Sequence, residues 1–290
     1  ISAFTINTDA PILAEVTAVA PLGNVSSPTY VFSSSKSGSI TYSGACSSTA
    51  TTANTTNNTI TFNSLADGIY DNCSVIVTDA AGNRSSALNI SPFTIDTVAP
   101  DLAEVAAVTS PNNDPTPDYV FSSSKIGTIN YLGACTSVTT AATTTSDNAI
   151  TFNTLADGTY DSCGLTVTDA AGNVSDPLSI SSFTIDTAVP TLAEVTPVPT
   201  PGNVAAPDYV FQSSKAGAIT YVGACSSVTT AAIMGDNTIT FNSLDDGTYD
   251  SCSLTVTDAT GNPSAALDIS PFTIDTAAPM VSELVASAAN

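Results

Sequence analysis

Short stretches of alternating apolar and polar residues follow one another along the chain, separated by Gly, Pro, Asn and Asp. An alternation with a period of two is typical of β-strands, because successive side chains point to opposite faces. Seven such stretches occupy the middle of the chain: 102–108, a strand opened by Tyr119-Val120-Phe121, 127–133, a weak Thr-rich strand within 137–145, 149–152, 160–168 and 178–186. No segment has a helical period, so the pattern predicts an all-β fold.

The whole pattern repeats along the chain. A segment of the type Phe-Thr-Ile-Asp-Thr-x-x-Pro ends at Pro11, Pro100, Pro190 and Pro279, which are 89 or 90 residues apart. This period predicts three units, flanked by the last strand of a preceding unit and the first strand of a following one. The predicted segments are 1–10 (last strand), 11–99, 100–189, 190–278 and 279–290 (first strand). Seven short strands in about 90 residues predict tandem immunoglobulin-like (Ig-like) β-sandwich domains.

Aromatic residues support this interpretation. The nine Tyr fall at three positions that recur in every unit, and nine of the ten Phe are also in register, so we expect them to fill the cores. Tyr160 follows the turn Asp157-Gly158, which is typical of the tyrosine corner of sandwich folds. Cys163 lies three residues further on, so strict alternation would place the two side chains on opposite faces. We therefore expect either a bulge between them or a different partner for the tyrosine.

The six cysteines obey the same period. Six cysteines allow 15 pairings, but pairing within each unit is the arrangement that follows from the repetition and uses every thiol. The predicted disulfides are Cys46–Cys73, Cys135–Cys163 and Cys225–Cys252. Each would join the end of the third strand to the sixth. A zinc site is disfavoured, because each unit has only two cysteines and the chain has no His. Disulfides indicate an extracellular, oxidising location.

Composition excludes several classes of function. The chain has 290 residues, with 4 Lys and Arg against 26 Asp and Glu, a formal net charge of −22. Such a chain lacks the basic clusters that nucleic acids and anionic membrane surfaces require, and it has no apolar run long enough for a membrane span. Without His, the common catalytic triads and His-metal sites are absent. We predict no enzymatic activity and no organic cofactor.

Carboxylates form the one recurring cluster that suggests chemistry. The topology of a sandwich brings three carboxylates together at each junction between consecutive units. They belong to an Asp-Gly turn of one unit, to the linker that follows its last strand, and to an Asp-x-x-Gly-Asn turn of the next unit. Such clusters of oxygen atoms are able to bind Ca²⁺. The candidate ligands are Asp67, Asp96 and Asp169 at one junction, and Asp157, Asp186 and Asp258 at the next. The alternatives are turn formation alone, or neutralisation by the single Lys after each second strand (Lys36, Lys125 and Lys215).

Three motifs carry a resemblance to a known family. The segments Leu155–Tyr160 (Leu-Ala-Asp-Gly-Thr-Tyr) and Thr166–Asn173 (Thr-Val-Thr-Asp-Ala-Ala-Gly-Asn), with the closing Phe-Thr-Ile-Asp-Thr-x-x-Pro, resemble the bacterial Ig-like tandem repeats of large surface proteins and adhesins. The resemblance implies an extracellular stalk, with Ca²⁺ at the linkers in some arrays and ligand-binding modules elsewhere. A disulfide in every unit departs from many such arrays, which lack cysteine.

The repetition and the resemblance together predict a structural stalk or fibre segment at the cell surface. The alternative is a self-assembling extracellular filament subunit, in which the terminal strands complete the domains of neighbouring chains. The expected partners are therefore neighbouring repeats or identical chains. No residue outside the repeat pattern points to an external ligand.

Overall fold

The computed structural model describes residues 6–281, and all regular structure in this range is β-strand. These residues form two compact units, one of 6–107, 118–152 and 162–181, and the other of 108–117, 153–161 and 182–281. The boundary between the units passes through the second sequence repeat. The domain boundaries inferred from the period therefore stay a prediction. Most of the predicted flanking strands in 1–10 and 279–290 lies outside the described residues.

The first repeat belongs to the first unit. Its strands are β1 (Leu13–Thr17), β2 (Leu22–Gly23), β3 (Thr29–Ser34), β4 (Gly38–Ser43), β5 (Thr52–Ala53), β6 (Asn57–Thr61), β7 (Gly68–Tyr70), β8 (Ser74–Asp79), β9 (Leu88–Asn89) and β10 (Phe93–Ile95). One sheet has the order β1-β3-β6, a second β5-β4-β8-β9 and a third β2-β10-β7. The third sheet continues the second, because β7 leads into β8 and β9 into β10 after three residues each.

The core of this repeat lies between the two layers. Alternation along β3 buries Tyr30 and Phe32 on the same face. Val75 and Val77 of β8 pack against them from the other layer, and all four side chains have no measurable exposure. Phe93 of β10 completes the same cluster. Burying aromatic and β-branched side chains in this way is the main favourable contribution to folding. The alternation seen in the sequence thus defines the inner face of each layer.

The second repeat has the same strands except for β2. They are β11 (Leu102–Ala106), β12 (Asp118–Ser123), β13 (Gly127–Leu132), β14 (Ala141–Ala142), β15 (Asp147–Thr151), β16 (Gly158–Tyr160), β17 (Gly164–Thr168), β18 (Leu178–Ser179) and β19 (Phe183–Ile185). The first unit contains the sheets β11-β12-β15 and β14-β13-β17-β18. The second unit contains the pair β16-β19.

The third repeat lies within the second unit. Its strands are β20 (Leu192–Thr196), β21 (Asp208–Ser213), β22 (Gly217–Val222), β23 (Ala231–Ala232), β24 (Gly235–Thr240), β25 (Gly247–Tyr249), β26 (Ser253–Asp258), β27 (Leu267–Asp268) and β28 (Phe272–Ile274). The sheets β20-β21-β24, β23-β22-β26-β27 and β25-β28 enclose Tyr209, Phe211 and Phe272 in the core. Two layers with this strand order are Ig-like, so the predicted all-β, Ig-like fold class is confirmed.

Two predicted strands differ in detail. The sixth predicted strand is divided, since β16 ends at Tyr160 and β17 begins at Gly164, and the seventh is divided between β18 and β19. The change of face between Tyr160 and Cys163 is made by this break, in which the buried Cys163 lies, and not by a bulge within one continuous strand. The Thr-rich fourth strand is reduced to the two residues of β14, which form an edge of their sheet.

All three predicted disulfides are confirmed. Their Cα–Cα distances are 5.4, 5.4 and 5.5 Å, and all six cysteines are buried. In the first repeat the bond lies just beyond the Ser43–Ser74 pair that ends the β4–β8 ladder, so it extends one sheet. The antibody disulfide, in contrast, joins two sheets. Closing a loop of this size is worth about 3–4 kcal/mol in the chain-entropy model.

The tyrosine corner is also confirmed. The hydroxyl of Tyr160 donates to the carbonyl oxygen of Ala156 at 2.9 Å. The matching bonds are Tyr70 to Ala66 at 2.8 Å and Tyr249 to Asp245 at 2.9 Å. Each ring stacks on the Phe of the adjacent strand, with centroids 5.2–5.3 Å apart. The Asp-Gly turn is thereby fixed next to the linker that follows the last strand.

Candidate functional site

The linker after each repeat is held in shape by the Asp-Gly turn. Thr97 is the second residue after β10, and its backbone N–H and hydroxyl both donate to Oδ1 of Asp67, at 2.9 and 2.8 Å. Thr187 makes the same two bonds to Asp157, also at 2.9 and 2.8 Å. In each case one carboxylate oxygen of the turn is occupied by the linker. These turn residues therefore determine how the linker leaves the sheet.

The Asp-x-x-Gly-Asn turn prepares a carboxylate for the linker. Oδ1 of Asp169 accepts the backbone N–H groups of Ala171 and Asn173, at 3.0 and 2.8 Å. The turn needs Gly172, whose φ of 93° is a left-handed conformation that other residues adopt at a cost. The Asp169 side chain is only 3% exposed. This arrangement leaves Oδ2 available for a partner outside the turn.

That partner is Lys125. Its ammonium donates to Oδ2 of Asp169 at 2.8 Å and to both oxygens of the linker residue Asp96, at 2.8 and 2.7 Å. It also donates to the carbonyl oxygen of Val98. The amide of Asn173 donates to the backbone oxygen of Asp96 at 2.8 Å and to Oδ2 of Asp169 at 3.0 Å. We call Asp96, Lys125, Asp169 and Asn173 the Lys125 clamp; all four belong to the first unit.

The second unit contains the same arrangement. Lys215 donates to both oxygens of Asp186, at 2.8 and 2.9 Å, and to Oδ2 of Asp258 at 2.9 Å. Asn262 donates to the backbone oxygen of Asp186 at 2.8 Å. These four residues form the Lys215 clamp. Two independent copies of one geometry indicate that the clamp is encoded by the repeat itself.

A third clamp lies at the beginning of the first repeat and differs in one residue. Lys36 donates to Oδ2 of Asp79 at 3.2 Å and to the side-chain oxygen of Asn7 at 3.1 Å, and it also contacts the backbone oxygen of Asp9. Asn83 donates to the backbone oxygen of Asn7 at 2.9 Å. The Lys36 clamp thus consists of Asn7, Lys36, Asp79 and Asn83. The side-chain amide of Asn7 occupies the position that the linker carboxylate occupies in the other two clamps.

The clamps shift the pKa values of their charged groups. Burial by itself would raise the pKa of Asp169, but hydrogen bonds from Lys125 and Asn173 outweigh it and lower the pKa to about 2. Hydrogen bonds from Asn83, opposed by desolvation, lower the pKa of Asp79 to about 2. Desolvation would lower the pKa of Lys125, yet bonds to Asp169 and Asp96 raise it. Asp79, Asp169 and Lys125 are therefore all held in their charged forms.

The predicted calcium ligands come together at the linkers, but as partners of the lysines. Asp96 and Asp169 meet at Lys125, and Asp186 and Asp258 meet at Lys215. Asp67 and Asp157 bind the linker threonines. Hydrogen bonds from Thr187 lower the pKa of Asp157, to which the charge of Lys215 adds. This geometry corresponds to the lysine alternative of the sequence analysis.

The donor set does not fit Ca²⁺, which takes six to eight oxygen ligands. In the Lys125 clamp, an ammonium lies between the carboxylates, and the other oxygen of Asp169 already accepts two backbone N–H groups. Among residues 6–281, no group of three or more His, Cys, Asp or Glu is arranged to hold a metal ion. Calcium binding remains a prediction of the sequence, and the geometry assigns the cation's place to lysine.

A second recurring tie was not found from the sequence. The carboxylate of Glu104 in β11 accepts the backbone N–H and the hydroxyl of Ser181, at 3.0 and 2.6 Å. Desolvation opposes these bonds, yet they lower the pKa of Glu104. The same tie joins Glu15 to Ser91 and Glu194 to Ser270. These hydrogen bonds connect the first strand of a repeat to the segment just before its last strand. They therefore stabilise a single repeat and not the junction between two repeats.

Comparisons with known proteins identify no family. No family model matches the chain, and no curated protein matches it. Among solved structures, it is similar to invasin, a bacterial integrin-binding protein, with 13% identity and a TM-score of 0.33 over 92% of this chain and 60% of invasin. It is also similar to Escherichia coli α2-macroglobulin in its native conformation, with 9% identity and a TM-score of 0.19, over 91% of this chain and 23% of that one.

Both TM-scores are below 0.5, so the assignment of the fold rests on strand order and disulfides, and neither protein's activity is transferred to this chain. The chain spans less than two thirds of either structure. Within the described part of the chain, no helix is long and apolar enough to cross a membrane.

Proposed function

We propose that this chain is a structural segment of an extracellular surface protein, a stalk built from tandem Ig-like repeats. The observation that carries the proposal is the recurrence of one clamp at the linkers. Lys125 and Lys215 each bind the linker of the preceding repeat and the turn of the following one. A stalk requires such restraint at every joint, whereas a binding module requires one site that differs from the rest.

The disulfides support the extracellular location. All six cysteines are paired, and protein disulfides persist in oxidising compartments outside the cytosol. In such a compartment the bonds would limit how far each repeat extends under tension. The high negative charge favours solubility of long arrays, because like-charged surfaces repel one another. The resemblance to bacterial adhesin repeats agrees with this location.

The proposal assigns the chain no catalytic role. The carboxylates that the fold brings together are engaged by lysine ammonium groups or by backbone and hydroxyl donors. An acid or base for catalysis would need an available proton position and a substrate beside it. Repetition of the same group in every repeat is instead typical of a structural role.

Single-molecule stretching of the full chain tests the proposal. A stalk segment gives three unfolding events of similar size, one for each disulfide-bonded repeat. Reduction lengthens each event by about 90–100 Å, because each bond withholds 27 or 28 residues from extension at about 3.6 Å per residue. Extension without discrete events contradicts the stalk. Free thiols in protein taken from its source cells contradict the extracellular location.

A further inference from the structure

The first repeat has an uncharged surface on the solvent side of its sheet β1-β3-β6. Alternation turns Tyr30 and Phe32 into the core, so the residues between them face solvent. Ile12 continues β1 by one position, because its carbonyl oxygen accepts the N–H of Ser35 at 3.0 Å. We call the outward residues of this sheet the outer face: Ile12, Ala14, Val16, Thr29, Val31, Ser33, Ser35, Asn57, Thr59 and Thr61. None of them carries a charge.

The corresponding faces of the other two repeats are acidic. Exposed aspartates occupy three of these positions in the second repeat and two in the third: Asp101, Asp118 and Asp147, and Asp208 and Asp236. They correspond to Ile12, Thr29 and Asn57, as the hydrogen-bonded register of the strands shows. A chain with a net charge of −22 therefore leaves the outer face of its first repeat neutral.

The outer face also exposes apolar side chains. Ile12 is 75% exposed and Val16 is 47% exposed. A groove of about 320 Å³, lined in part by Ala18, Val25 and Pro28, continues the face beyond the end of β1. Residues 16–35, which supply most of this surface, include no charged residue. A contiguous apolar surface that is free of charge is typical of a protein–protein contact.

We propose that the outer face of the first repeat binds the same face of a second copy of this chain. Two copies repel each other through their acidic surfaces, and a neutral face lets them approach without bringing like charges together. A second copy also has a matching shape, because two sheets pack face to face about 10 Å apart. Each copy contributes the same residues, so the contact closes as a pair.

The size of the face predicts a weak and reversible pair. Three strands about 4.8 Å apart, each about six residues long at about 3.3 Å per residue, give about 300 Å² per copy, to which the groove adds. A standard stable interface buries about 800 Å² per partner. We therefore expect a dissociation constant between about 0.1 and 1 mM. The pairing goes beyond the stalk role, because it joins separate chains, and no strand leaves its own repeat.

Sedimentation velocity of the full chain, diluted in steps from about 1 mM, tests the pairing. At about 0.15 M salt, repulsion between the acidic chains is screened beyond about 8 Å, and we expect the mass to rise reversibly toward that of a dimer. The triple variant Ile12→Asp, Thr29→Asp and Asn57→Asp gives this face the charges of the second repeat. It should lower the association constant at least about tenfold, because carboxylates then oppose one another across the contact.

A second triple variant is the matched control: Ala66→Asp, Ser86→Asp and Asn89→Asp. These three residues are exposed, lie outside the outer face, and correspond to aspartates of the other repeats, namely Asp245, Asp176 and Asp268. Both variants thus carry the same net charge and use residues that the repeat already accommodates. Weaker association of the first variant alone identifies the face. An equal loss in both variants overturns the proposal, as does a chain that stays monomeric at about 1 mM.

Amide NMR on the same dilution series locates the contact. Signals of Val16, Val31 and Thr59 should shift with concentration, whereas those of Val105 and Val120, at the matching positions of the second repeat, should not. Shifts at the second repeat without shifts at the first contradict the proposal. Stretching of a single chain is unaffected by each of these outcomes, so the stalk role stands or falls separately.

Discussion

The Lys36 and Lys125 clamps form a natural pair of variants within one molecule. Both have a lysine after the second long strand, a buried Asp whose Oδ1 accepts two N–H groups of its own turn, and an Asn that binds the linker backbone. They differ in the linker residue, which is Asn7 in one and Asp96 in the other. The Lys, the Asp and the Asn of each clamp are therefore positioned by their own repeat, and the linker determines how many charges meet at the lysine.

Removal of the lysine should produce the largest difference between the two clamps. Lys125→Met leaves Asp96 and the nearly buried Asp169 facing each other without a cation, and we expect the turn to lose about 2–3 kcal/mol. Lys36→Met leaves Asp79 beside an amide and should cost about 1 kcal/mol. Hydrogen exchange at Ala171 and Asn173, and at Ala81 and Asn83, measures these local free energies. Equal losses would contradict the importance of the linker carboxylate.

Acid should weaken both clamps over the same range. The folded pKa of Asp169 and of Asp79 is about 2, below the ordinary value of about 3.9 in an unfolded chain. A lowered carboxyl pKa gives stability that is complete above about pH 4 and is lost as the pH falls through about 2. Calorimetry from pH 5 to pH 2 should record a falling Tm, and Asp169→Asn should flatten this slope.

Carbon-13 titration of the two carboxyl groups assigns the effect. Midpoints near 2 for both Asp79 and Asp169 would assign the acid sensitivity to the buried Asp of each clamp, whether the linker supplies an amide or a carboxylate. Midpoints near about 3.9 would mean that neither carboxylate is held as described.

Exchange of the linker residues should convert one clamp into the other. Asp96→Asn reproduces the Lys36 clamp at Lys125, and we expect faster hydrogen exchange at Ala171 and Asn173, equivalent to about 1 kcal/mol. Asn7→Asp should slow exchange at Ala81 and Asn83 by a similar amount. Asp101→Asn, at an exposed position just after the linker, is the control for loss of charge. If Asp96→Asn behaves like that control, the linker carboxylate does not strengthen the clamp.

Calcium should have the smallest effect. With an ammonium between the carboxylates of the Lys125 and Lys215 clamps, we expect EGTA to leave the Tm unchanged, because a ligand stabilises a protein only when it binds the folded state. A fall of more than about 2 °C on chelation, reversed by added Ca²⁺, would instead support the calcium sites predicted at Asp96, Asp169 and their counterparts.

The sequence predicts most of the fold, because the relevant signals are periodic. Alternation placed Tyr119 and Phe121 on one inner face, and repetition alone paired Cys135 with Cys163. The junction was predicted in part: topology brought Asp96 and Asp169 together, but sequence carries no distances and so did not distinguish an ammonium from a metal ion. The tie from Glu104 to Ser181 was missed, because 77 residues separate its partners and no local pattern links them.

NMR of the lysine ammonium groups tests the central claim most directly, namely that lysine fastens each linker to the next repeat. The chain contains three lysines, and each lies in a clamp, so the spectrum should contain three ammonium signals. We predict that Lys125 and Lys215 exchange slowly with water and couple through hydrogen bonds to two carboxyl carbons each, Asp96 and Asp169 for Lys125. Lys36 should couple to the carboxyl carbon of Asp79 and the amide carbon of Asn7. Three fast-exchanging signals without such couplings would contradict the account.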